Sequence, residues 1–248
     1  RAGNGRLDAT VHFNNVRTLQ NLADEMSKEI ELDSEEIYTW LINPENAKKY
    51  GFKKETIITM FLPNTYRVDF DITVEALMKR MGKEYKAFWN ASRVAKLKKC
   101  NLSQSECATL ASIVFSETNS SKDIKTIAGV YMNRIRIGMP LQADPTLKFA
   151  AYQLPKYKNT VIKRVLNVHK DIVSPYNTYK NRGLPPGLIA MPDISAINAV
   201  LNYEKHKYLY FAADAKKFGF HKFAKTLSQH NVNAREYHRY LSSQGINR

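Results

Sequence analysis

The sequence predicts an α+β protein: a small α/β module over residues 1–70, then a larger, mostly helical α+β domain over residues 71–248 with long cleft-forming loops. Three observations carry this expectation. Strand-like alternation and helical spacing are interleaved before residue 70. From Thr73 onward apolar residues recur three and four apart along successive stretches. Residues 140–185 break that rhythm with Pro, Gly, Asn and Tyr, and a loop region of this length inside a folded domain is usually functional or disordered.

Along the chain, Arg6–Phe13 alternate, with Leu7, Ala9, Val11 and Phe13 on one face of a strand. Leu19, Leu22, Ala23, Met26 and Ile30 repeat at helical spacing. Asp33 followed by Glu36 starts a short helix carrying Ile37, Trp40 and Leu41, and Asn43–Tyr50 adds a turn or two stopped by Gly51. Ile57–Phe61 and Tyr66–Phe70 read as extended pieces around Pro63. A long amphipathic helix from Thr73 carries Val74, Leu77, Met81, Tyr85, Phe88 and Trp89, then fades into the basic run at 93–99, read as a solvated end or linker. Ser121 is expected to cap the helix of Ile124, Ile127, Ala128, Tyr131 and Ile135, which Gly138 stops. Helical patterns recur near 146–152 and 160–168. Pro192–Tyr203 is a further helix, Tyr208–Ala213 and His221–Ala224 a strand pair, and Ser228–Ser243 the closing helix.

The stretch Ser103–Thr118, SQSECATLASIVFSET, stands out. Ser103 and Glu106 form a capping-box signature. At 100° per residue Leu110, Ile113, Val114 and Glu117 share one side, while Ala108, Ala111 and Phe115 cover much of the other. A helix apolar nearly all round is normally enclosed by protein. Glu117 thus ends a buried face, where an unpaired carboxylate is costly and its pKa rises, the property a general acid needs near neutral pH. A partly wet carboxylate in the last turn, capping or pairing with a Lys or Arg, also fits the periodicity.

Composition narrows the classes. With 38 Lys and Arg against 23 Asp and Glu, the net charge of +15 suits polyanions: nucleic acid, anionic headgroups or a carboxylate-bearing wall polymer. The basic clusters lie at Lys96–Lys99, Lys156–Arg164 and Lys216–Lys225. No run of 18 apolar residues is present. Two cysteines, Cys100 and Cys107, are too few for a disulfide scaffold. The six histidines form no HExxH pair and there is no CxxC, so no metal site or cofactor is expected. A GxSxG elbow, a phosphate loop and nucleic-acid modules are all absent. What remains is one carboxylate on a buried helix beside loops rich in Tyr, Asn, Gln and Pro, a mixture suited to a sugar cleft. Ordinary glycosidases need two carboxylates. Asp144 is the second candidate, with an Asx-turn before Pro145 as its structural alternative.

ASIVFSET at 111–118 resembles the A-S-I-V-E-x-E-T helix of the MltG (YceG-like) endolytic murein transglycosylases. The resemblance continues through AGVYMNRIRIGMPLQADPT at 128–146, SPYNTYKNRGLPPG at 174–187, YLYFAADAKKFGFHKF at 208–223 and the S-x-H-N of Ser228–Asn231. FLPNTY at 61–66 resembles the family's F-P-D-T-Y. The first of the family's two helix glutamates is replaced by Phe115, about 160° around the helix from Glu117. The resemblance aligns Glu117, directly before Thr118, with the catalytic acid. It implies a LysM-like first module, peptidoglycan glycan strands as substrate, peptidoglycan synthases as candidate partners, and no nucleic acid. It also implies a periplasmic or extracytoplasmic location, with an N-terminal membrane helix anchoring the full-length protein. The expected cleft residues are Thr118, which orients the acid, and Gln142, Asp144, Tyr176, Asn177, Tyr179 and Asn231. Each has a structural alternative: Asn177 as a turn holder, Tyr179 as core, Asn231 as a helix cap. Two rival functions stay open, an inverting hydrolase using Glu117 and Asp144, and a non-catalytic wall- or polyanion-binding protein.

Overall fold

Strand β1 (Asp8–Phe13) pairs antiparallel with β2 (Asn64–Asp69), Val11 opposite Tyr66 and Phe13 opposite Asn64. The alternation decides which face is covered: Val11 and Phe13 are fully buried, and Phe13 stacks on Tyr66 with ring centroids 5.6 Å apart. The computed structural model describes residues 7–118, 120, 122–157, 160–162, 164–217 and 219–244; Arg6 and Ser121, read above as strand start and helix cap, lie outside them.

Between the two strands run α1 (Leu19–Met26), α2 (Ser34–Ile42) and α3 (Pro44–Lys49). Asp33 caps α2 by accepting the Glu36 N–H at 2.7 Å. Gly51, at φ +82°, follows α3 in the left-handed region. The segment expected to be extended at Ile57–Phe61 is instead a 3₁₀ turn over Ile57–Met60. All four of its residues are buried, and an apolar run covered on every side carries no period to tell strand from helix. The Thr59 hydroxyl, donating to the Thr56 carbonyl at 2.7 Å, favours the turn.

Beyond β2 come α4 (Val74–Phe88), capped by Thr73, and α5 (Ala91–Cys100). Helix α5 corrects the reading of 93–99 as a solvated end. Asn90 caps it through the Arg93 N–H, Asn101 ends it at φ 54°, and Leu97 and Cys100 are buried beneath its lysines. Cys100 and Cys107 are both buried thiols, not joined in a disulfide, and burial raises both pKa values.

Contacts group the chain into two compact units, residues 7–112 with 186–197 and residues 113–185 with 198–244. Helix α6 (Gln104–Glu117) runs from the first into the second. Its capping box is complete: Ser103 Oγ accepts the Glu106 N–H and Glu106 Oε2 accepts the Ser103 N–H at 2.8 Å. Every residue from Cys107 to Val114 is buried, as an all-round apolar helix requires.

The second unit contains α7 (Ile124–Arg136), α8 (Asp144–Tyr152), α9 (Asn167–Lys170), the end of α10 (Ile194–Leu201), the antiparallel pair β3 (Tyr210–Ala213) and β4 (His221–Ala224), and α11 (Leu227–Ser243). Segment 204–209 lies close along α7. Asn133 donates to the His206 and Tyr208 carbonyls at 2.8 and 3.0 Å, and Gly129 leaves the space this approach needs. A Cβ at Gly129 would stand 2.6 Å from His206 Nε2 and against the Glu204 carbonyl. Gly129→Ala is therefore expected to cost about 1–3 kcal/mol, the usual size of overpacking, read as a lower urea midpoint.

Candidate active site

Helix α6 delivers Glu117 at its last position, and α7 supplies the groups around it. Tyr131 and Arg134 stand three residues apart, on neighbouring turns of one helix face. Tyr131, 1% exposed, donates its hydroxyl to Glu117 Oε1 at 2.6 Å. Among the described residues no hydrogen bond reaches Oε2. Glu117 itself is partly exposed because it faces open cavities, yet protein surrounds its carboxyl. Burial therefore dominates and pushes its pKa up to about 7; Asp144 adds to the rise, while the Tyr131 bond, Lys148 and Arg134 oppose it.

Arg134 is 7% exposed and binds backbone rather than a carboxylate. Nε donates to the Leu209 carbonyl at 2.7 Å and Nη1 to that of Leu141 at 2.6 Å, with Pro140 further off at 3.4 Å. Its guanidinium carbon lies 5.2 Å from the Tyr210 ring centre. One side chain thus fastens β3 and the loop before α8 onto α7.

That loop carries Gln142, held at φ 49° with its N–H on the Thr178 carbonyl at 3.0 Å. Asp144 begins α8, and its Oδ1 accepts the Tyr179 hydroxyl at 2.6 Å. Burial and this bond raise the Tyr179 pKa, so Tyr179 stays a donor. Glu117, Tyr131, Arg134, Gln142, Asp144 and Tyr179 line a cavity of about 310 Å³ closed further by Tyr210, Phe211, Leu227 and His230. Among the described residues no group of three or more His, Cys, Asp or Glu stands ready for a metal ion.

Four of the sequence-predicted residues meet here: Glu117, Gln142, Asp144 and Tyr179. Thr118 does not line this cavity; it is buried, and Oγ1 accepts the Ser120 N–H at 3.0 Å, shaping the turn after α6. Tyr176 packs on Phe149 at 4.7 Å and on the cluster of Ala150, Ala151, Ile162 and Ile172. Asn177 is fully buried. It donates to the Lys170 and Ile172 carbonyls at 2.9 and 2.8 Å and accepts the Tyr179 N–H at 3.0 Å, so its amide organises the loop that presents Tyr179. Asn231 is exposed on α11, whereas its neighbour His230 turns inward.

Tyr131, Arg134 and His230 were not singled out as site residues from the sequence. Tyr131 sits in an apolar helical stripe and Arg134 in a basic one; His230 lies in the S-x-H-N motif, next to Asn231. His230 stacks on Tyr210 at 5.4 Å, and burial together with Arg134 lowers its pKa, so it is a neutral imidazole at neutral pH. Its Nδ1 is buried without a partner among the described residues.

The chain is 40% identical over 182 residues to the endolytic murein transglycosylase of Bacillus subtilis, covering 73% of this chain and 47% of that protein. To the protein of that name from Streptococcus pneumoniae serotype 2 it is 33% identical over 179 residues, covering 71% and 31% respectively. It therefore spans less than half the length of these curated relatives. A crystal structure of a yceG-like protein from Listeria monocytogenes superposes with a TM-score of 0.72 at 29% identity, over 90% of this chain and 74% of that one. The model of the YceG-like family matches residues 2–236, and the chain belongs to that family.

Proposed function

We propose that this chain is an endolytic peptidoglycan lytic transglycosylase, cutting the β-1,4 bond between N-acetylmuramic acid and N-acetylglucosamine within glycan strands outside the cytoplasmic membrane. The observation that carries the reading is the single enclosed carboxyl of Glu117, with a pKa near 7 and one oxygen already held by Tyr131. Protonated Glu117 donates to the glycosidic oxygen through Oε2 while an oxocarbenium-like centre develops at C1. The carboxylate then takes the proton of the muramyl C6 hydroxyl, whose oxygen closes onto C1 as a 1,6-anhydro ring. The same atom set returns Glu117 to its acid form, and water is not consumed. One carboxyl suffices because the nucleophile belongs to the substrate. The Arg134 charge and the Tyr131 hydroxyl both favour the transient carboxylate. Peptidoglycan synthases are proposed as partners in the same wall chemistry, and the first module as LysM-like.

Asp144 favours one second reading, since it lines the same cavity. As a base for water it would make the enzyme an inverting hydrolase. Uncrosslinked glycan strands digested and weighed by mass spectrometry separate the two: internal fragments with anhydro ends support transglycosylation, and reducing ends heavier by one water support hydrolysis. Salt-sensitive binding without cleavage would leave a wall-binding protein.

The proton cycle sets the pH dependence. Tyr131→Phe removes a bond that stabilises the carboxylate, so the pKa of Glu117 rises further and the acid stays protonated to higher pH. The alkaline limb of the kcat profile should move up by about one pH unit, the scale of one hydrogen bond to a charged group. An unmoved limb would show that Glu117 is not the titrating acid.

A further inference from the structure

Glu117 lines two cavities, and among the described residues it alone is shared between them. The second is larger, about 900 Å³, and is walled by Tyr237 and Tyr240 of α11, Phe220 and Lys216 of the β3–β4 connection, and His221. The buried carboxylate of Asp123 accepts both the backbone N–H of His221, at 2.7 Å, and its Nδ1, at 3.1 Å. Phe211 meets the imidazole edge-on at 5.4 Å and also meets Tyr131, the residue that holds Glu117, at 5.9 Å. In the imidazole tautomer that donates from Nδ1 to an Asp, Nε2 is the acceptor. Among the described residues no partner reaches Nε2.

We propose that this larger cavity is a saccharide-binding site for the strand on the other side of the scissile bond, with Nε2 of His221 accepting a hydrogen bond from a sugar hydroxyl or acetamido N–H. The inference rests on the transglycosylase reading. A strand cut internally must continue in both directions from the acid. The smaller cavity, near the lower limit for ligand sites, holds little beyond the reacting unit, whereas the larger one reaches the upper part of that range. The flat faces of Tyr237, Tyr240 and Phe220 suit pyranose rings, and Asp123, which fixes the imidazole, stays out of contact with the ligand.

His221→Asn separates binding from scaffolding, because its amide nitrogen still offers Asp123 a donor at the Nδ1 position while the Nε2 acceptor is gone. In the whole chain, with uncrosslinked glycan strands, KM should rise about tenfold, one neutral hydrogen bond lost at a desolvated site, with kcat changed less and the thermal midpoint unchanged. Wild-type KM in that variant overturns the proposal. A second measurement does not depend on the variant's folding: Glu117→Gln is titrated with the tetrasaccharide of alternating N-acetylglucosamine and N-acetylmuramic acid while the imidazole ¹⁵N signals are followed. A shift of the His221 Nε2 signal supports the site, and a shift of the His230 signal alone refutes it. If wild type leaves no anhydro ends, the transglycosylase reading fails, and the titration still decides whether this cavity takes saccharide.

Discussion

Replacing Glu117 by Gln is expected to abolish cleavage and at the same time to stabilise the fold above neutral pH. Proton transfer by a positioned acid contributes about 10²–10⁴-fold, and in the proposed mechanism the same group serves both half-reactions, so the loss should lie at or beyond the upper end. The stability effect follows from the raised pKa. Below its ordinary value of 4.5 Glu117 is protonated in both folded and unfolded chains and costs nothing. Between 4.5 and about 7 the unfolded chain releases the proton while the folded chain retains it, so stability falls as pH rises through this window. Above it the deficit is of order 3 kcal/mol, which Gln does not incur. Urea midpoints of the two proteins should therefore coincide near pH 4 and separate by pH 8, with the Gln form higher. A Gln variant equal to or weaker than wild type at pH 8 would mean that the carboxyl is solvated and unfit as an acid.

Arg134→Met should produce the largest loss of stability among single changes at the site. The substitution keeps much of the aliphatic volume but leaves the Leu141 and Leu209 carbonyls without their donor at 2.6 and 2.7 Å. Bonds to a charged donor are worth about 1.5–3 kcal/mol each, so a cost of about 4 kcal/mol is expected in chemical denaturation. Arg134→Lys restores the charge without the fork that reaches both carbonyls, and should recover less than half. Hydrogen exchange should localise the damage to β3 and the loop at 140–142. Uniform loosening would instead argue that Arg134 is a general core residue. Because Arg134 also opposes the rise of the Glu117 pKa, surviving activity should extend to higher pH.

Much of the local structure was legible from local chemistry. The Ser103–Glu106 capping box, the Asp33 cap, the enclosed α6 and the β3–β4 pair follow from neighbours a few residues apart, and each is present. The misreadings share a cause. Residues 57–60 are buried on all sides and carry no period. The lysines of 93–99 hid an Asn90 cap and two buried positions, Leu97 and Cys100.

The site divides in the same way. The sequence alone determined that a carboxyl would arrive at the end of a buried helix, because apolar spacing and a cap are written between Ser103 and Glu117. It did not distinguish Tyr179, whose hydroxyl meets Asp144, from Asn177, whose amide is spent on carbonyls of residues 170 and 172. Nor did it show that Tyr131 ends on Glu117, that Arg134 grips two distant loops, or that His230 rather than Asn231 faces the cavity. Those assignments belong to the tertiary structure, since hydrogen bonds and burial between residues up to 75 positions apart depend on how the loops close, which no local period records.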